Sequence, residues 1–194
     1  MTLYLFLIAL AVLAIALSVS IAASTAFLPV LGWTSFATAA VILVDGLTAT
    51  VCRLLPASVA DPSRGIFQVS AEEKKFYEKL KIRKWKDRVP EIGQFTGFRK
   101  NKIADPKSVE YLDRFLLEAC YGEIGHFTSC ITSYLILLLF PLYRLWFAVA
   151  IPVATVSLLL NLPSLFILRY NSYKLRVLRN STLKKQQRAC ASAE

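Results

Sequence analysis

The sequence predicts an all-α membrane protein with about four transmembrane helices and a cytoplasmic helical segment between helices two and three. Three observations carry this. The chain is 56% hydrophobic yet holds 23 Lys and Arg against 13 Asp and Glu. Its mean hydropathy is +0.51, a pairing foreign to most soluble domains. The apolar residues gather in two blocks, 1–55 and 127–168, and the charges lie between and after them. Four parts follow: 1–55 with helices one and two, 56–126 as a cytoplasmic or interfacial segment, 127–168 with helices three and four, and 169–194 as a basic cytoplasmic tail.

A hydrocarbon layer of about 30 Å asks for about 20 apolar residues of helix. Residues 2–23 meet this without a charge, and 27–44 nearly do, ending at Asp45. Residues 127–143 and 145–168 give two more spans, with Arg144 in the turn between them. The first apolar run lacks the positive start of a secretory signal, so a retained anchor is favoured over cleavage after "SIAAS". Segment 53–126 holds 15 Lys and Arg, and 169–194 holds seven against one acidic residue. Positive flanks stay cytoplasmic, and two spans separate these segments, so both face the cytoplasm of a multi-pass cell-membrane protein.

Between the apolar blocks, "SAEEKKFYEKLKIRKWKD" reads as one basic helix with Ser70 and Glu73 as its capping box. Phe76, Tyr77, Leu80 and Trp85 share a face suited to the headgroup plane, where lysines meet anionic lipid headgroups. Residues 89–106 read as a loop, with Asp105-Pro106 opening the next helix. Val109, Leu112, Phe115, Leu116 and Ala119 recur at helical spacing. That helix is expected to run, kinked near Gly122 and Gly125, into the short third span. The polar tail is expected to lose order at its end. Basic residues beside membrane spans, with no zinc-finger or RNP pattern, speak against nucleic acid as a partner. Cys52, Cys120, Cys130 and Cys190 match no metal spacing, so no metal is expected.

The polar residues at the membrane edge are the candidate site. His126, the one histidine, stands three residues after Glu123, within side-chain reach on a helix. Glu118, Glu123 and His126 fall in an arc of about 140°. A carboxylate beside an imidazole is an arrangement that activates a hydroxyl; it also serves as a plain interfacial hydrogen bond. Asn161 lies within the fourth apolar run, two residues before Pro163, and suits either a helix–helix hydrogen bond or a substrate groove. Arg169, Tyr170 and Asn171 stand where that run ends.

Three blocks, "FYEKLKIRKWKDRVPE" (76–91), "EACYGEIGHF" (118–127) and "NLPSLFILRYN" (161–171), together resemble the glycosyl-diaponeurosporenoate acyltransferase family. The layout fits from about Phe67 onward, and the apolar sequence before Arg53 goes beyond it. Phe127, Leu168 and Ser172 stand where that family's pattern has Trp, Gln and Arg. The resemblance implies a membrane acyltransferase that esterifies a fatty acyl group to a hydroxyl of a glycosylated lipid or carotenoid. Glu118, Glu123 and His126 match the second block, and their own chemistry suggests them as catalytic residues, with His126 as base oriented by Glu123. Arg169, Asn171, Asn161, Lys84, Trp85 and Lys86 would bind substrate. The donor would be an acyl thioester such as acyl-CoA, with no cofactor. A non-catalytic membrane scaffold or lipid-binding protein, or another lipid-modifying membrane transferase, is the alternative.

Overall fold

A computed structural model describes residues 2–89 and 103–192. The loop expected over 89–106 falls largely on 90–102, outside the described residues. Helices α1 (Thr2–Ala22), α2 (Phe27–Leu54), α3 (Ala71–Lys79), α4 (Ile82–Trp85), α5 (Val109–Thr132) and α6 (Trp146–Ala191) are joined by 3-10 turns at Gly65–Phe67, Lys86–Arg88 and Ser133–Leu142. Among the described residues there is no strand. Four helical stretches among them are long and apolar enough to cross a membrane: Tyr4–Ala22, Phe27–Leu54, Val109–Leu142 and Trp146–Ala191. The chain is an all-α membrane protein.

The chain packs as two compact units. The first comprises Met1–Leu54 and Gly125–Leu162, the second Leu55–Ile124 and Pro163–Glu194. In the first unit α1 and α2 form a hairpin. Ser24 takes a left-handed conformation (φ 49). Thr25 N then donates to Ser20 O at 3.0 Å and Ser24 N to Ile21 O at 3.2 Å, the pairing of a Schellman end. The core is built from Ala16, Val30, Ala37, Val41, Ile136, Trp146, Val149, Ala150, Val153 and Ala154. Small residues dominate because helices in lipid gain from close backbone approach rather than from hiding apolar surface. Leu5, Phe6, Leu10, Leu28, Leu43 and Leu138 point outward instead, as a lipid-facing surface requires. Trp146, almost fully buried, donates Nε1 to Ile136 O at 2.8 Å and closes the turn into α6.

The second unit shows where local chemistry departs from the sequence expectation. The basic helix over 70–87 is broken. Ser70 Oγ accepts from Glu73 N at 3.1 Å, as the capping box requires, but α3 stops at Lys79, and Lys81 turns left-handed (φ 53). The break lets Ile82 join Tyr77, Ile167 and Tyr170 in a buried cluster. A continuous helix places Tyr77 and Ile82 about 140° apart. Phe76 and Leu80 stay exposed.

The cap of α5 also lies one turn later than expected. Asp105 Oδ1 accepts from Lys107 N and Ser108 N, making a turn. Ser108 Oγ then caps the helix by accepting from Tyr111 N at 3.1 Å. The stripe predicted from Leu112 to Ala119 is buried. α5 passes through Gly122 and Gly125 without interruption, and α-geometry gives way only over Ser133–Leu142, with Leu139 non-helical (φ −85, ψ 15). The polar tail is helical to Ala191. Its side chains find acceptors: Arg179 on Asp113, Thr182 on Pro106 O and Gln186 on Lys107 O.

Candidate functional site

Four of the candidate residues fall into two polar constellations, one inside each unit: His126 with Asn161, and Glu123 with Arg169. In the first unit, His126 Nδ1 lies 2.8 Å from Asn161 Oδ1. The Asn161 amide nitrogen faces three acceptors: Ser157 O at 3.1 Å, Ser157 Oγ at 3.3 Å and Asp45 Oδ2 at 3.4 Å. Asp45 is clamped on both oxygens. Ser133 Oγ sits 3.0 Å from Oδ1 and Ser157 Oγ donates to Oδ2 at 2.8 Å. The two serine hydroxyls are 2.9 Å apart, and Ser133 Oγ is also 2.6 Å from Ser129 O. Helical spacing makes the cluster: Ser129 and Ser133 are four apart, as are Ser157 and Asn161, so each pair shares a face. Ser133 and Ser157 are buried.

This geometry fixes protons. Three acceptors hold the Asn161 NH₂, so its oxygen faces the imidazole, and an amide oxygen only accepts. His126 Nδ1 therefore carries the hydrogen in the neutral ring, and Nε2 keeps its lone pair.

In the second unit, Arg169 on α6 gathers the charges. Its Nε and Nη2 engage the two oxygens of Glu73, the latter at 2.9 Å, and Nη1 reaches Glu123 Oε2 at 3.0 Å and Ile66 O at 2.9 Å. A guanidinium has five N–H groups, and four are used here. Glu123 is only 3% exposed, and its other oxygen accepts from Ser172 Oγ at 2.8 Å. Tyr77 OH donates to Glu73. The Arg169 hydrogen bond holds the Glu73 carboxyl below its ordinary range against the opposing effect of burial, and the Ser70 backbone N–H contributes least. Burial and the neighbouring Glu73 push the Tyr77 phenol well above its usual value.

The expected residues are thus redistributed. Nδ1 of His126 is held by Asn161, while Glu123 binds Arg169 and Ser172. Glu118 pairs with Arg114 one turn earlier, at 3.0 Å. Trp85 donates Nε1 to Leu80 O at 3.0 Å and packs on the Tyr77–Ile82 cluster. Lys84 is exposed, and Lys86 and Asn171 are half-buried.

Asp45, Ser133, Ser157, Glu73 and Ser172 were not singled out by the sequence as site residues. Asp45 is legible as an ionisable group, but hydropathy alone ends the apolar run at it. α2 in fact continues nine residues further, to Leu54, which puts Asp45 inside a helix. The serines gave a weaker signal, a polar pair at a four-residue step within an apolar helix.

Searches among curated proteins and among solved structures return no match. The model of one protein family, described as glycosyl-4,4'-diaponeurosporenoate acyltransferase, matches residues 63–181. That segment is more than half of the chain and contains all three of the sequence blocks that resemble it, and the chain belongs to the glycosyl-4,4'-diaponeurosporenoate acyltransferase family.

Proposed function

We propose that the protein is a membrane acyltransferase that moves a fatty acyl group from a thioester donor, such as acyl-CoA, to a sugar hydroxyl of a glycosylated carotenoid or related glycolipid. One observation carries the reading: a single histidine whose Nδ1 is committed to Asn161, leaving Nε2 to accept a proton. Nε2 takes the hydroxyl proton as the oxygen attacks the thioester carbonyl. The C–O bond forms, the C–S bond breaks, and the departing thiolate takes the proton back from the ring. No cofactor is needed.

The other assignments follow the chemistry of each group. Arg169, with four N–H groups already engaged, is assigned a positioning role with Glu73 and Glu123 rather than a hold on the donor. Exposed Lys84, with Lys86 and Trp85, is assigned to the donor's phosphates. Asn171 is assigned to substrate contact, and Glu118, expected as catalytic, is assigned a supporting role through its pairing with Arg114. The Lys and Arg distribution supports a cell-membrane protein with its middle segment and C-terminus in the cytoplasm, where anionic headgroups would meet the basic residues.

The test is expression beside a pathway that makes glycosylated carotenoid, with products followed by mass spectrometry. A product heavier by one fatty acyl chain is expected, and His126→Gln should lower its formation by about 100-fold or more with protein amount in the membrane unchanged. Equal product from His126→Gln would remove the base assignment. No acylated product from the wild type would favour a scaffold or lipid-binding role.

A further inference from the structure

We infer that Asp45 is a positioning residue for His126: from α2, outside the segment that the family model matches, its carboxylate fixes the Asn161 amide and thereby the tautomer of the ring. This deepens the acyl-transfer reading and rests on it for its catalytic consequence. The starting point is the position of Asp45, inside an apolar helix, where an ionisable side chain is costly unless it is partnered and is by default functional. All its partners point one way. Ser133 and Ser157 present hydroxyls and Asn161 presents its NH₂.

The donor–acceptor inventory makes this decisive. Serine, asparagine and neutral histidine can each donate or accept. Among the side chains of this cluster the carboxylate of Asp45 alone only accepts; the backbone carbonyl of Ser157, 3.1 Å from the Asn161 nitrogen, acts in the same sense. Asp45 therefore sets the direction of the side-chain hydrogen bonds that run through Ser157 to Asn161. Ser157 gives its hydrogen to Asp45 and so offers only lone pairs to Asn161. The amide must then point its nitrogen at Ser157 and Asp45 and its oxygen at His126. Without the carboxylate only the Ser157 carbonyl still favours this amide orientation, and the Ser157 hydroxyl is free to turn and donate to a flipped amide. The flipped NH₂ would face Nδ1, the ring would carry its hydrogen on Nε2, and the base would be lost. The matched segment 63–181 supplies the histidine, the asparagine and both serines, while the group that orders them comes from upstream.

The chain has one histidine, so ¹⁵N-histidine labelling yields a single imidazole. Solid-state NMR of the full chain in lipid bilayers, at a pH where the ring is neutral, reads its tautomer without any turnover. The wild type should be protonated at Nδ1; an Nε2-protonated wild type overturns the proposal even if no variant folds. Asp45→Asn should move the hydrogen toward Nε2, and an unchanged spectrum overturns it as well. The charge transposition Asp45→Asn with Asn161→Asp should restore Nδ1–H, because a carboxylate at 161 again only accepts. In the acylation assay Asp45→Asn should lower kcat at least about tenfold while KM stays within about twofold. Full acylation by Asp45→Asn with a shifted tautomer would sever the positioning role from catalysis. A tautomer that shifts as described in a wild type making no acylated product would leave the Asp45 assignment standing and remove the acyl-transfer reading.

Discussion

Arg169 shows how much can depend on one side chain. It neutralises Glu123, which is buried at 3% exposure, and grips Glu73 with two nitrogens. Removing one partner of a buried pair leaves an uncompensated charge. Arg169→Met should therefore destabilise the second unit by about 3 kcal/mol, seen as a lower thermal midpoint in detergent. Arg169→Lys should recover only part, since a point charge cannot span both oxygens of Glu73. Glu73 also gives a pH signature. Its folded carboxyl titrates below the ordinary value, so its contribution is complete above the unfolded value, about 4.3, and fades as pH falls through the folded one. Glu73→Gln should remove part of the acid-induced drop in midpoint, and an identical acid profile in the variant would refute the assignment. At this scale the sequence was only half legible. His126, Asn161, Glu123 and Arg169 stood out because polar residues at an apolar edge need partners. Which partner each one takes depends on residues 35 to 116 positions apart, and helical spacing cannot supply that.

Among the elements, the break after α3 is the clearest departure from periodicity. A left-handed Lys81 costs about 1 kcal/mol relative to glycine, and the structure accepts it to bury Ile82. Lys81→Gly should raise stability by about that amount in chemical denaturation, while Lys81→Val should lower it. A lower midpoint for Lys81→Gly would mean that the break is absent. Propensity alone could not reveal this break, because Leu80, Lys81 and Ile82 are all acceptable in a helix; burial of Ile82 overrides it. The body of the tail is ordered for the same kind of reason. Lys, Gln, Arg and Ala are good helix formers, and the distant Asp113, Pro106 and Lys107 hold it; its last two residues, 193 and 194, lie outside the described residues. The stripe from Leu112 to Ala119 was legible because one face of α5 is buried along its length and the repeat is written directly in the residues.

For the whole molecule, hydropathy made the fold class and the number of spans legible, since a bilayer demands internally satisfied backbone and few architectures provide it. Orientation has a built-in reporter. Cys190 is an exposed free thiol near the C-terminus, whereas Cys52 and Cys120 are buried. A membrane-impermeant thiol reagent should label Cys190 in inverted vesicles and not in intact cells; labelling of intact cells would reverse the topology proposed from the basic residues. The 3-10 stretch Ser133–Leu142 bears on the fit between protein and lipid. A 3-10 helix climbs about 2.0 Å per residue against 1.5 Å for an α-helix. Leu139 leaves helical geometry within the stretch, so it is two tightly wound pieces across a kink, with Pro141 following. Tighter winding lengthens each piece relative to an α-helix, while the kink lets the end of the third span swing, so membranes of unusual thickness should tax this end first.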